Sequence, residues 1–248
     1  MKLTKKLFAV ALLMSAAAMT FAQSQSVQKK SSSSNESYVE NEYLDDLDTE
    51  IIMGMADADD YESKFLALQY IQDAIEDGNT SPGVIEALDK LAGEGILTES
   101  RTNGRKINNF PDIRRNACLL MAQVPTEHTK NQLIKIMVAE NEPMVTAAAI
   151  QSLSKINPEN ADEAIDAICF VHKKNNYLNP TSSLAFEVID AFERLAPSAS
   201  NYKAMTNTLT LIASNYRYTT SVRNRAQRLL KKLSNAGSSS NSKAADAK

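Results

Sequence analysis

The chain has no tryptophan, two cysteines, two histidines, and only seven glycines and seven prolines among its 248 residues. Each shortage excludes something. Two cysteines cannot staple a disulfide-rich scaffold, and no Cys-x-x-Cys pair offers a redox dithiol. Cys118 and Cys169 read either as small buried side chains or as one buried and one partly exposed thiol. A bridge between them would need Cα atoms within roughly 7 Å. The histidines, His128 and His172, have no second ligand at a useful spacing, which argues against a zinc site. His128 falls in the first turn of a helix and reads as solvated. His172 keeps phase with Ile165 and Ile168 near a helix C-terminus, and reads as hydrogen-bonded and partly buried. The glycine motifs that cradle phosphates, and the nucleophile elbow, are missing. Asp57, Asp59 and Asp60 do not open a calcium loop, because Glu62 and Leu68 stand where Gly and Glu are required. No catalytic, cofactor-binding or metal-binding residue is assigned, and the expectation is a protein that is not an enzyme.

Long apolar runs are also lacking. The longest, Leu7–Met19, spans 13 residues, short of the ~20 needed to cross a bilayer. It follows three lysines and precedes Thr20-Phe21-Ala22, with small residues at the −3 and −1 positions of a cleavage site. Residues 1–22 therefore read as a secretory signal peptide, which implies export to the periplasm or the exterior. Loss of its three lysines moves the formal charge from −3 to −6, and a net negative chain is a poor general ligand for nucleic acid. Residues 23–39 are Ser-rich and aperiodic and read as a disordered linker, as does the tail 236–248.

What fills the stretch between is helix periodicity. In 112–156, Ile113, Ala117 and Met121 recur as Val145, Ala149 and Leu153, offset by 32 residues. Looser copies stand at Thr181, Ala185 and Ile189, at Val222, Ala226 and Leu230, and at Ser63, Ala67 and Ile71. A unit of 30–50 residues built from paired helices is the mark of a helical solenoid. The pattern predicts ten helices and no strand across 40–235. In the first, Leu44, Leu47, Ile51, Ile52 and Met55 form one apolar stripe on an acidic helix suited to a solenoid cap. Helices follow at about 60–77 (with Phe65 on its apolar face), 82–92, 112–124 (capped by Asp112), 126–140, 143–156, 160–174, 181–195, 202–216 and 220–234. The periodicity lapses over 96–110, where Asn103-Gly104 signals a turn.

The pairs Ile113-Arg114 and Val222-Arg223, each followed by the alanine and the aliphatic residue above, resemble the V-R-x-x-A-x-x-x-L first helix of HEAT repeats. Thr146 and Ser182 replace the arginine in two copies. The tetratricopeptide signature is missing. The resemblance implies an all-α, right-handed, armadillo-like α-solenoid of about five antiparallel helix pairs, a non-catalytic scaffold whose surface takes a protein partner. It leaves Arg114 and Arg223 to bond carboxylates or carbonyls of neighbouring repeats. An accessory, lyase-like subunit binding a small molecule, and a plain structural spacer, are the alternatives.

In such an array every link from a second helix to the next first helix emerges on one edge. Those links, 96–110, 141–143, 175–179 and 216–220, hold Arg101, Arg105, Lys106, Tyr177, Arg217 and Tyr218, with Lys173 and Lys174 just before the third. They form the candidate partner-binding edge, since Arg and Tyr are favoured at hot spots; the alternative is a set of solvated loops. Tyr216 is left out because its phase sets it on the apolar stripe.

Overall fold

Prolines and glycines punctuate the chain close to where the periodicity sets its boundaries. The computed structural model describes residues 47–156, 161–200 and 202–245, with side chains as far as 235. Residues 1–22 and 23–39, expected as a signal peptide and a linker, and Leu44 lie outside the described residues. Ten helices are seen: α1 (47–57), α2 (Tyr61–Glu76), α3 (Pro82–Gly93), α4 (Pro111–Met121), α5 (Glu127–Ala139), α6 (Pro143–Lys155), α7 (Ala161–Leu178), α8 (Ser182–Leu195), α9 (Lys203–Ser214) and α10 (Thr220–Ala245). Among the described residues, the regular structure is helical apart from one small hairpin.

Local chemistry explains the boundaries. Asp60 caps α2 by accepting from the Ser63 N–H. Gly78, at φ 84°, ends it with two backbone bonds, Gly78 N–H to Ile75 O and Asn79 N–H to Ala74 O, the pairing of a Schellman stop. Pro82, Pro111 and Pro143 each open a helix, where the missing N–H costs nothing. Asp112 thus lies in the first turn of α4 and does not cap it.

Two strands appear where none was expected. Arg101–Thr102 (β1) and Arg105–Lys106 (β2) pair antiparallel across Asn103-Gly104, both at positive φ. Two left-handed residues in a two-residue loop make the turn whose twist matches a hairpin. Asn108 pins its base, donating to Thr98 O and accepting from the Ser100 N–H.

Alternate helices pack on one another. Ala67, Ala117, Ala149, Ala185 and Ala226 are all fully buried, on α2, α4, α6, α8 and α10. Those even-numbered helices contact one another in that order, and α3, α5, α7 and α9 do the same. One continuous hydrophobic cluster runs from Ile52 on α1 to Leu233 on α10. Alanine at the crossing points lets backbones approach, so aliphatic neighbours such as Ile113, Val145 and Val188 fill the remaining space.

Several expectations need correcting. On α1 the stripe splits: Ile52 and Ala56 are buried, while Ile51 is 50% exposed and Leu47 37%. Ile51 and Ile52 point about 100° apart on a helix, so one helix packed on α2 and α3 cannot bury both. On α2, Phe65 is exposed and Lys64 is buried. α7 continues through Leu178, so residues 175–178 are its last turn and not a link. α10 continues to Ala245, past the expected tail boundary at 236; once a helix is nucleated, each added Ser or Gly costs only about 0.5–1 kcal/mol.

Candidate partner-binding surface

The edge where odd-numbered helices hand over to even-numbered ones is built from a column of buried polar side chains. Lys64 and Arg114 hold equivalent positions, each three residues before a buried alanine, Ala67 and Ala117. Lys64 Nζ donates to Glu94 Oε2 at 3.1 Å and to Ala56 O. Arg114 Nε donates to Glu140 Oε2 at 2.7 Å, and its terminal nitrogens reach Glu140 Oε1, Glu94 O and Asn109 Oδ1. Glu94 follows α3 and Glu140 follows α5. Each carboxylate therefore closes its own helix pair, and Arg114 also reaches back to the pair before. Glu140 Oε1 accepts the N–H groups of Asn141 and Glu142, and Lys174 donates to Val138 O and Glu140 O. The ladder thus extends to α7. Where arginine is missing from the repeat, Thr146 turns its hydroxyl to Glu142 O and Ser182 Oγ accepts the Thr219 N–H. Arg223 is different: it donates to Thr220 Oγ1 and lies over the Tyr216 ring at 5.0 Å.

A second polar cluster closes the later helices. Tyr218 OH donates to Asn176 Oδ1 at 2.9 Å and sits 3.2 Å from His172 Nε2, while Asn215 donates to Asn176 at 2.8 Å. Burial pushes the Tyr218 phenol up to about 12 and the His172 imidazolium down to about 4, so both are neutral near pH 7. With the phenol hydrogen committed to Asn176, Nε2 carries the ring hydrogen that faces Tyr218. His172 Nδ1 has no hydrogen-bond partner among the described residues.

The eight residues of the expected edge therefore separate. Arg101 and Lys106 both bind Glu99, at 2.8 and 2.7 Å, and Lys106 reaches Gly95 O; they tie the hairpin to its own base, beside exposed Arg105. Lys174 serves the ladder. Tyr218 is 3% exposed and belongs to the interior, which corrects its place on the edge. Tyr216, set aside as interior, is 87% exposed. α9 ends at Ser214, so helix phase no longer governs the turn that follows, where Tyr216 and Arg217 are both exposed and Tyr218 is buried.

Lys173, Tyr177 and Arg217 remain exposed, on α7 and on the α9–α10 turn that the Asn176–Asn215 bond joins to it. Phe170 and Leu178, which sequence reasoning missed, and Tyr216, which it set aside, join them. Phe170, Tyr177 and Leu178 are 56%, 73% and 72% exposed on α7; with Lys173 they follow i, i+3, i+7 and i+8, one helix face. The signal was available, because Phe170 is out of phase with Ile165, Ile168 and His172. Tyr177 and Tyr216 flank the Asn176–Asn215 bond, so the hydrogen-bonded cluster beneath holds the two rings' backbones in register. Lys173 and Arg217 make no ion pair among the described residues. Aromatic and aliphatic surface beside free cations suits an acidic, partly apolar protein segment.

Other features bear on chemistry. A cavity of about 550 Å³ is lined by Pro82, Ile85, Glu86, Asp89, Val124 and His128 among others, with His128 Nε2 2.5 Å from Asp89 Oδ2. Both cysteines are free: Cys118 is buried and its thiol raised by burial to about 12, and Cys169 is partly buried and also raised by burial. Neither is a ready nucleophile. No described helix is long and apolar enough to cross a membrane. No protein-family model matches the chain, and no curated protein or solved structure matches it.

Proposed function

We propose that the chain is an exported, non-catalytic α-solenoid of HEAT-like, antiparallel helix pairs, and that it holds a protein partner at the surface formed by α7 and the α9–α10 turn. Three things support the array: the five buried alanines at one repeat position, the contacts between alternate helices, and the Lys64–Glu94 and Arg114–Glu140 pairs closing successive units. The signal-peptide pattern supports export.

The observation that carries the binding reading is the run of exposed Phe170, Tyr177, Leu178 and Tyr216 around Lys173 and Arg217. Isolated exposed apolar residues are ordinary, whereas four large ones on two neighbouring elements form a patch. A plain structural spacer has no use for it. The experiment is capture of partners from envelope extracts by the tagged protein, followed by mass spectrometry. Lys173→Glu with Arg217→Glu is expected to abolish capture of at least one protein held by wild type, while thermal stability stays within ~0.5 kcal/mol, the usual range for surface changes. An unchanged partner set would remove this surface from consideration.

The cavity beside His128 supports a second reading, an accessory subunit binding a small molecule, because its apolar walls and two carboxylates fall within the size range of ligand sites.

A further inference from the structure

The two ends of the described fold carry opposite charge. Residues 47–77 hold nine acidic side chains and one basic one, Lys64, which is buried against Glu94; residues 202–235 hold seven basic side chains and no acidic one. Glu62, Leu66, Tyr70 and Asp73 follow i, i+4, i+8 and i+11 on the solvent face of α2, opposite its buried residues. Leu66 and Tyr70 are 42% and 46% exposed. Glu50, Leu47 and Ile51 make a similar acidic and apolar face on α1. At the other end Arg228, Lys231 and Lys232 are exposed on α10, whereas Arg225 is already paired with Asp190 and Glu193.

The ends cannot neutralise one another within a molecule. α2 packs on α3 and α4 and meets α1 through Lys64 and Ala56 O, and α10 packs on α8 and α9; the face of α2 with Glu62, Leu66, Tyr70 and Asp73 and that of α10 with Arg228, Lys231 and Lys232 stay exposed. Two acidic ends repel, as do two basic ends, which disfavours a two-fold dimer through either face. An acidic end and a basic end attract, and that contact is heterologous. Lys and Arg also cover apolar surface with their aliphatic stems, which matches the exposed Leu66, Tyr70 and Ile51. A junction of the same sense occurs inside the chain, where Lys130 of α5 reaches forward to Glu163 of α7 at 2.6 Å.

We propose that the protein associates head to tail with further copies of itself, the acidic outer faces of α1 and α2 on one molecule meeting the basic face of α10 on the next. The contact uses the end faces alone, so it stands or falls separately from the α7–α10 partner surface.

Sedimentation velocity of the full-length protein tests it. Higher-order species are expected at about 0.01 M salt, where charges act over about 30 Å, and monomer alone at about 1 M, where they act over about 3 Å. Reversal of the basic end (Arg228→Glu, Lys231→Glu, Lys232→Glu) or of the acidic end (Glu50→Lys, Glu62→Lys, Asp73→Lys) should weaken association about tenfold or more. Combining both sets in one chain should restore it. Carbodiimide cross-linking of wild type provides a measurement that needs no variant: Lys231 or Lys232 should link to carboxylates of α1 and α2 in the oligomer band. Monomer throughout at low salt, association insensitive to salt or to either reversal, failure of the combined chain to recover, or absence of those cross-links would each overturn the proposal.

Discussion

At the scale of single residues, the buried pair Arg114–Glu140 is the strongest constraint on its neighbourhood. Both side chains are almost wholly buried, at 1% and 2% exposure, so removing either leaves a charge without its counter-ion in a medium that solvates it poorly. Arg114→Met or Glu140→Leu should each cost about 3–5 kcal/mol. Arg114→Met with Glu140→Leu should cost far less than the two together, leaving mainly the orphaned Asn141 and Glu142 amides and Glu94 O at about 1 kcal/mol each. Urea denaturation of the four species as a double-mutant cycle reads the coupling directly; additive losses would show that the charges do not stabilise each other. His172 gives a pH dependence. Its ring is held neutral down to about pH 4, whereas in the unfolded chain it protonates near pH 6.5. Between those values the unfolded state binds the extra proton, so stability is full above about pH 6.5 and declines as pH falls toward 4, by an amount on the order of 3 kcal/mol. His172→Leu should flatten that slope relative to wild type when urea midpoints are compared across the interval. Parallel slopes would show that the ring is solvated before the protein unfolds.

At the scale of helices, α6 packs against both α4 and α8, and its Ala148 and Ala149 are buried. Ala149→Leu should force those axes apart and cost about 1–3 kcal/mol, seen as a lowered denaturation midpoint; an unchanged midpoint would mean that the neighbouring helices yield without strain. Helix positions are legible because Gly78, Pro82 and Pro143 act through local backbone chemistry, which a sequence carries in full. The alanine column was legible for a related reason, as a repeated side chain reports a repeated crossing. What was not legible depends on neighbours. Ile51 and Ile52 are equally apolar, and only the placement of α2 and α3 decides which is buried. Lys64 looks like a surface residue until Glu94 is brought to it from 30 positions away. The hairpin escaped notice because two-residue strands leave no alternation to read, although its Asn-Gly turn was plain. The patch on α7 is half legible: Tyr177 falls in the expected link and Lys173 just before it, while Phe170 lies off the buried stripe that the periodicity reports.

At the scale of the whole molecule, a net charge of −3 conceals a gradient, since acidic residues crowd the first helices and basic ones the last. Charge laid out in this way can discriminate orientation, attracting unlike ends and repelling like ones, without any change in the apolar core. Organisation along the chain has another consequence. Each helix packs only on the next and the next but one among the described helix contacts, so nothing near the N-terminus waits for residues near the C-terminus. Contacts this local favour rapid folding. A chain emerging N-terminus first could bury Ala67 as soon as α4 appeared, and Ala117 as soon as α6 appeared. Its apolar surface would then be covered at the pace of its delivery, leaving at any moment only about one helix pair open to misassociation.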